Sequence, residues 1–146
     1  MTEQDEKQIR ALMAAREVAM TGRDAETLGS HYAPDVVAFT LAPPLVQRGA
    51  DVIDVRAREA WFDTFEGPVE YEIRDLEIAV GGDIAYSHSL NRLTATPKGA
   101  PAGFDLWFRA TVCFRKEHGE WRITHVHDST PFHMDGTLRA AVDLKP

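Results

Sequence analysis

The sequence contains a single cysteine, Cys113, among its 146 residues. An internal disulfide is therefore excluded, and the position of Cys113 inside an apolar strand pattern favours a buried structural thiol over a reactive nucleophile. No apolar run is long enough to cross a bilayer, and the polar residues 2–7, three of which are acidic, do not resemble a signal peptide. These absences predict a soluble protein of the cytoplasm.

A cluster of basic residues is also missing. The 16 Lys and Arg residues are outnumbered by 23 Asp and Glu residues, which gives a formal net charge of −7. Because phosphate backbones and anionic lipids repel such a chain, neither nucleic acid nor a membrane is expected as a partner. A hydrophobic share of 44% is typical of a globular protein. We expect one domain over residues 1–146, with about 133–146 as a C-terminal tail.

The N-terminal part of the sequence carries helical patterns. Apolar residues at helical spacing predict a first helix from about Thr2 to Thr21. Asp24 is a suitable N-cap for a short second helix, Ala25 to about His31. After a strand over 36–41 and a short returning strand over 45–47, a third helix is expected to begin at Asp51 and to end at Gly67.

From Val69 onward the pattern is that of long strands joined by hairpins. The apolar side of the first of these strands switches near Asp75, which predicts either a bulge there or a strand that passes from one environment to another. A short helix is expected in the tail, from Thr137 to Asp143. Helices followed by long strands predict an α+β domain, in which N-terminal helices pack on a strongly curved, mostly antiparallel sheet and leave a conical cavity.

The stretch from Trp121 to Phe132 is the main candidate for a functional segment. With a side-chain period of two, one face of this strand carries Trp121, Ile123, His125, His127 and Ser129. The face begins with apolar side chains and ends with two imidazoles and a hydroxyl. We therefore expect its first half to belong to the hydrophobic core and its second half to line a functional site. An imidazole titrates near neutral pH and suits proton transfer or the orientation of a substrate oxygen.

Two other interpretations of His125 and His127 remain open. Two histidines on one strand face have the spacing of metal ligands, but the remaining ligands would have to come from elsewhere in the fold. We therefore expect no metal and no cofactor. In the last interpretation both rings are structural and form hydrogen bonds that stiffen the mouth of the cone.

Further candidates come from other strands and from the helices. Arg109 shares a strand face with Trp107, and if that face is concave Arg109 is either an ion-pair partner or an anchor for an anionic ligand. Amphipathic aromatic side chains facing the sheet suit a pocket wall, although core packing is their default. The predicted catalytic residues are His125, His127 and Arg109. The predicted substrate-binding residues are Tyr32, Trp61, Trp107, His88 and Ser129.

Motifs along most of the chain form a recognisable set. In the last two strands they are Leu106–Val112, Phe114–Lys116, Gly119, Trp121, His125, His127, Ser129 and Phe132. Upstream they are Pro43–Leu45, Gly49, Trp61, Phe62, Phe65–Val69, Asp83, Ala85 and His88–Arg92. This set resembles SnoaL-like domains of the ketosteroid isomerase-like (nuclear transport factor-like) superfamily. The resemblance implies a cone of helices and a bent sheet, often dimeric.

The resemblance leaves two functions open, because the superfamily contains both enzymes and non-catalytic modules. The first is a cofactor-independent isomerase, cyclase or dehydratase that acts on a small hydrophobic molecule by acid–base chemistry. The second is a ligand-binding or association module with structural histidines. Ketosteroid isomerases carry an Asp base at the end of the first strand and a Tyr on the first helix. The corresponding positions here fall near Phe39 and Thr40 and near Arg16, where this sequence has neither a carboxylate nor a side chain that can act as an acid. We expect a homodimer through the convex face of the sheet.

Overall fold

The computed structural model describes residues 2–146. Its elements are α1 (Thr2–Thr21), α2 (Ala25–Ser30), β1 (Tyr32–Phe39), β2 (Gln47–Arg48), α3 (Ala50–Ile53), α4 (Val55–Phe62), β3 (Phe65–Gly81), β4 (Ile84–Pro97), β5 (Phe104–Glu117) and β6 (Glu120–Ser129). The strands form one open sheet in the order β2-β1-β6-β5-β4-β3. Only β1 and β6 pair in parallel, so the predicted α+β fold with a mostly antiparallel sheet is confirmed.

The helices cover one face of the sheet, which we call the inner face. Ile9 and Met13 of α1 are buried against a core that includes Phe114 and Ile123 of the sheet. They lie one helical turn apart, so both point to the same side of α1. No helix within residues 2–146 is both long and apolar enough to span a bilayer.

The predicted third helix is wrong, because two short helices take its place. The backbone leaves helical geometry at Asp54, whose carboxylate accepts a hydrogen bond from the Ala57 N–H at 3.0 Å. An Asp side chain that bonds this way caps a new helix rather than continuing the previous one. The second of these helices ends at Phe62, and Gly67 belongs to β3.

The helix predicted from Thr137 to Asp143 is wrong as well, since that segment consists of turns and one isolated bridge between Phe132 and Ala140. Asp135 explains the difference. Its carboxylate accepts hydrogen bonds from the backbone N–H of Thr137 at 3.1 Å and from the Thr137 hydroxyl at 2.7 Å. A local turn of this kind competes with the first turn of a helix.

Two of the bulges in the sheet change which side chains reach the inner face. The first confirms the prediction at Asp75, where φ is 56° and the register between β3 and β4 shifts. The second interrupts the pairing of β5 and β6. Phe114 pairs with Ile123 and Cys113 pairs with His125, which leaves Thr124 as the extra residue. An extra residue reverses the alternation of every side chain that follows it.

The edge strand β3 is protected by helix α1. The Glu17 carboxylate accepts a hydrogen bond from the backbone N–H of Ile73 at 2.6 Å. An edge strand presents unpaired N–H groups that invite pairing with another chain. Glu17 occupies one of these groups and ties the helix layer to the sheet at the same point.

Candidate functional site

Asp128 lies on the inner face of the sheet, near the end of β6. It pairs with Ala110, which is 4% exposed and belongs to the core beneath the helices. Burial raises the pKa of Asp128 to about 7, and the positive charge of Arg16 opposes this rise. Among residues 2–146, none donates a hydrogen bond to this carboxylate. A carboxyl group in this state can both give and take a proton near neutral pH.

A chain of three hydrogen-bonded side chains faces the same interior. The Ser89 hydroxyl donates to Asn91 Oδ1 at 2.7 Å, and Asn91 Nδ2 donates to the Tyr71 hydroxyl at 2.7 Å. Burial, reinforced by the negative charge of Asp128, raises the pKa of Tyr71 well above its usual value. The Tyr71 hydroxyl therefore stays protonated. Since its oxygen already accepts from Asn91, its own proton is free to be donated.

Arg16 of α1 closes the interior opposite Asp128. Its Nη2 donates to the Tyr32 hydroxyl at 2.8 Å, and its Nη1 lies 3.0 Å from both the Leu28 carbonyl oxygen and His31 Nδ1. A guanidinium has no acceptor, so His31 Nδ1 must accept and the proton of the neutral ring is on Nε2. Burial together with the charge of Arg16 lowers the pKa of His31 to about 4.

A second guanidinium, that of Arg58 on α4, approaches Tyr32 as well. The Cζ atom of Arg58 lies 5.4 Å from the Tyr32 ring centroid, and that of Arg16 lies 4.9 Å from it. Arg58 Nη2 donates to the Val52 carbonyl oxygen at 3.0 Å, whereas its Nη1 is buried without a hydrogen-bond partner in the part of the chain described. A Cβ at Gly29 would lie 3.0 Å from the Ile53 carbonyl oxygen, so glycine allows α2 to approach α3 here.

We call these residues the interior cluster: Asp128, Tyr71, Asn91, Ser89, Arg16, Tyr32 and Arg58. Two clefts elsewhere on the surface flank α1. The larger, about 560 Å³, is lined by residues of α1, the end of α2 and the β5–β6 hairpin, including His31 and Arg122. The smaller, about 320 Å³, lies between α1 and the Asp75 bulge. Neither of these two clefts is lined by Asp128, so its carboxyl group belongs to the interior cluster and not to them.

The family model for the SnoaL-like domain matches residues 9–133. The chain belongs to the SnoaL-like domain family. The match covers both the helices that carry Arg16 and Arg58 and the strand that carries Asp128. A search of curated proteins found no match.

Solved structures place this SnoaL-like domain in the NTF2-like fold. An NTF2-like protein of unknown function from Pseudomonas putida KT2440 is 33% identical, with 100% of this chain and 99% of that chain covered and a TM-score of 0.86. A provisionally named dehydratase of the NTF2-like family from Streptomyces avermitilis is 21% identical over 88% and 97% of the two chains, with a TM-score of 0.75. A provisionally named scytalone dehydratase from Novosphingobium aromaticivorans DSM 12444 is 17% identical over 97% and 94%, with a TM-score of 0.76. At these identities the two dehydratases share the fold alone with this chain.

The predicted catalytic residues do share one face of the sheet, but it is the outer face, away from the helices. The prediction that His125, His127 and Ser129 follow Trp121 and Ile123 inward is wrong, because the bulge at Thr124 turns them outward. His125 Nδ1 lies 2.7 Å from the Val37 carbonyl oxygen, so it donates to that oxygen. Arg109 pairs with Ser129 on this outer face and is exposed.

The remaining predicted residues divide between the two faces. Trp107 lies outside, with the guanidiniums of Arg74 and Arg92 at 4.5 and 5.8 Å from its ring centroid. His88 is also outside, and its Nε2 lies 3.3 Å from a Glu77 carboxylate oxygen. Trp61 is 39% exposed and packs on Phe62 and Phe65. Of the predicted set, Tyr32 alone belongs to the interior cluster.

Sequence reasoning missed most of the interior cluster. The signal for Asp128 was present, because Val126 and Asp128 continue the apolar face of Ile123 once the alternation is shifted by one residue. The same kind of shift was recognised at Asp75. No sequence signal distinguished Tyr71 or Arg58 from ordinary strand and helix residues. Within residues 2–146, no group of three or more His, Cys, Asp or Glu side chains is arranged to hold a metal ion.

Proposed function

We propose that this SnoaL-like domain is an enzyme that performs acid–base chemistry on a small, largely hydrophobic carbonyl compound, with Asp128 as the group that moves the proton. The observation that carries the proposal is the buried, hydrogen-bond-free carboxyl group of Asp128 with its pKa near 7. A general base works best when its pKa lies near the operating pH, and the pKa of an ordinary Asp, about 4, lies well below neutral pH. Burial makes Asp128 a stronger base while leaving about half of it ionised at neutral pH.

Tyr71 supplies the complementary group. Removal of a proton next to a carbonyl places negative charge on the carbonyl oxygen, and a hydrogen-bond donor at that oxygen stabilises the charge. Tyr71 keeps its proton because its pKa is raised, and Asn91 fixes the position of its oxygen. The proposal therefore assigns proton removal to Asp128 and stabilisation of the resulting enolate to Tyr71.

Enolate formation is the shared first step of isomerisation, of aldol-type cyclisation and of dehydration of a hydroxyketone. The chemistry of the interior cluster supports this step and does not separate the three products. The apolar residues around it, among them Phe108 and Val69, favour a hydrophobic substrate. We assign the reaction class at the level of the shared step.

Hydrogen–deuterium exchange at the carbon next to a carbonyl tests the shared step without knowledge of the natural substrate. Cyclohexanone and acetophenone, incubated with the protein in deuterated water, should lose their α-proton NMR signals faster than in buffer. Asp128→Asn should abolish the acceleration, and Tyr71→Phe should reduce it by about 10²-fold. Asp63→Asn, an exposed carboxylate at the end of α4, is the matched control.

The same experiment separates Asp128 from the histidines that the sequence pattern predicts to be catalytic. Exchange that survives Asp128→Asn but disappears in His125→Gln or His127→Gln would show that the histidines move the proton. The proposal for Asp128 would then be wrong. The outer position of both rings supports the opposite result.

We further propose that the protein is a cytoplasmic homodimer in which the outer face of the sheet meets a second copy of itself. A row of side chains crosses this face through Glu77, His88, Thr111, His127 and Phe39, each paired with the next. Phe39 packs edge-on against both His125 and His127, with ring centroids 4.7 and 5.3 Å apart. A face that carries aromatic rings and charges of both signs is suited to a self-complementary twofold contact.

A further inference from the structure

Two guanidinium groups stand beside the interior site without a carboxylate partner. Neither Arg16 nor Arg58 forms an ion pair within residues 2–146; their hydrogen bonds go to main-chain carbonyls, to His31 and to the Tyr32 hydroxyl. Arg92 and Arg115, in contrast, are paired with acids on the outside of the sheet. Charges withdrawn from water are normally paired, because an uncompensated one is costly.

The charge of the interior is therefore positive. Arg16 and Arg58 contribute two positive charges, and His31 contributes none, because its Nδ1 accepts a hydrogen bond from Arg16. Asp128 contributes at most one negative charge. The charge of Asp54 favours the ionised form of Arg58, but Asp54 is exposed, forms no ion pair with Arg58 and is used as the N-cap of α4. At least one positive charge is left without compensation.

The contacts present account for only some of the guanidinium donors. The bonds to the Leu28 and Val52 carbonyls satisfy the last turns of α2 and α3, which is an ordinary structural role for a cation. Arg58 Nη1 has no such role, being buried with no acceptor in the described chain. That part of the side chain stacks on the Tyr32 ring. A ligand group can reach Nη1 when the flexible Arg58 side chain gives up this contact.

We propose that the substrate of this site carries a carboxylate, which binds to Arg58 and Arg16 beside Tyr32 while its reacting carbon faces Asp128. A guanidinium matches the planar, two-oxygen geometry of a carboxylate. A single negative charge does not exceed this excess whether or not Asp128 is ionised, whereas a phosphate with nearly two charges exceeds it and repels Asp128 whenever Asp128 is ionised. The inference rests on the proposed function, since it names the substrate class of the same site.

Benzoate and acetophenone are suitable probes, because they have nearly the same shape and differ in charge. Dissociation constants measured by ligand-observed NMR on the wild-type protein should favour benzoate by about tenfold or more. Arg58→Gln should bring the two affinities to within about twofold by weakening benzoate alone. Arg56→Gln, an exposed position on the same helix, should leave the preference unchanged. Arg58→Lys, which keeps the charge, should retain part of it.

Three results would overturn the inference. The first is a wild-type protein that binds both probes equally or prefers acetophenone, which needs no variant to fold. The second is an Arg58→Gln protein that melts at a lower temperature but keeps its preference for benzoate. Arg58 would then have only the structural role of a hydrogen-bond donor at the end of α3. The third is failure to bind benzoate while Asp128-dependent exchange of acetophenone persists. That last result would contradict the anion site but not the proposed function. If instead the protein fails to accelerate hydrogen–deuterium exchange but still prefers benzoate, the proposed function is wrong and the anion site is not.

Discussion

Asp128 pairs with Ala110 across β5 and β6, so its carboxyl group lies beside the smallest chiral side chain on the inner face of the sheet. Ala110 offers no polar atom, and Arg16 is the one described charge that favours the ionised form of Asp128. The fold therefore places this acid where ionisation is costly. That cost should be visible in the stability of the protein as well as in its chemistry.

The first prediction is that Asp128→Asn changes the pH dependence of folding. The pKa of Asp128 is about 7 in the folded protein and about 3.9 in an unfolded chain. Because the folded state binds the proton more tightly, stability from this group is present below about pH 4 and is lost as pH rises through about 7. The loss is at most about 4 kcal/mol. In urea unfolding, the free energy of unfolding of Asp128→Asn relative to that of the wild type should increase by about 2–4 kcal/mol between pH 4 and pH 8. An equal difference at all pH values would contradict the raised pKa.

The second prediction concerns the link between α1 and the edge strand. Glu17→Ala leaves the Ile73 N–H without its acceptor, and we expect the free energy of unfolding to fall by about 1–3 kcal/mol. Glu17→Gln is the matched control, since its amide oxygen can still accept the bond and should restore most of the loss. Chemical denaturation of the three proteins measures both effects. Equal stability of Glu17→Ala and the wild type would mean that the bond contributes nothing.

The third prediction is a stabilising substitution. The Ser87 hydroxyl is buried on the inner face with no hydrogen-bond partner in the described chain. Ser87→Ala removes this unsatisfied group without adding volume, so the free energy of unfolding should rise by about 1 kcal/mol. Ser89→Ala serves as the contrast, because Ser89 is equally enclosed but donates to Asn91. It should destabilise the protein, and a gain in both variants would show that the Ser89 bond has no net value.

The bulges show how far the sequence predicts this fold. At Asp75 the apolar residues change sides within one strand, and the sequence predicts the bulge that the structure contains. At Thr124 the same change occurs between Ile123 and Val126, but two histidines continue the original alternation and conceal it. The polar and apolar pattern identifies the strand, whereas the pairing with β5 decides which face each side chain occupies. That pairing is a long-range property that a single strand does not reveal.

The interior cluster depends even more on long-range contacts. Arg16, Tyr32 and Arg58 come from three different elements, and Arg58 reaches Tyr32 only because α3 and α4 separate at Asp54. The sequence pattern predicts one continuous helix there, which would aim the side chain differently. The family resemblance did place Arg16 where related enzymes have a functional residue. It did not predict that the carboxyl group with the raised pKa would lie on the last strand.

The last prediction tests the dimer. Thr111 is exposed at the middle of the outer face, between His88 and His127. If two copies meet there, Thr111→Arg brings two added positive charges close to each other and to Arg109, and the dimer should dissociate. Light scattering should then give twice the chain mass of 16.3 kDa for the wild type and a single chain mass for the variant.

Ala15→Arg, on the solvent side of α1, is the control and should remain dimeric. The thermal stability of the isolated variant should change little, because Thr111 is exposed within one chain. A wild type that scatters as a single chain at micromolar concentration would refute the dimer, and the aromatic contacts of Phe39 with His125 and His127 would then serve only the monomer.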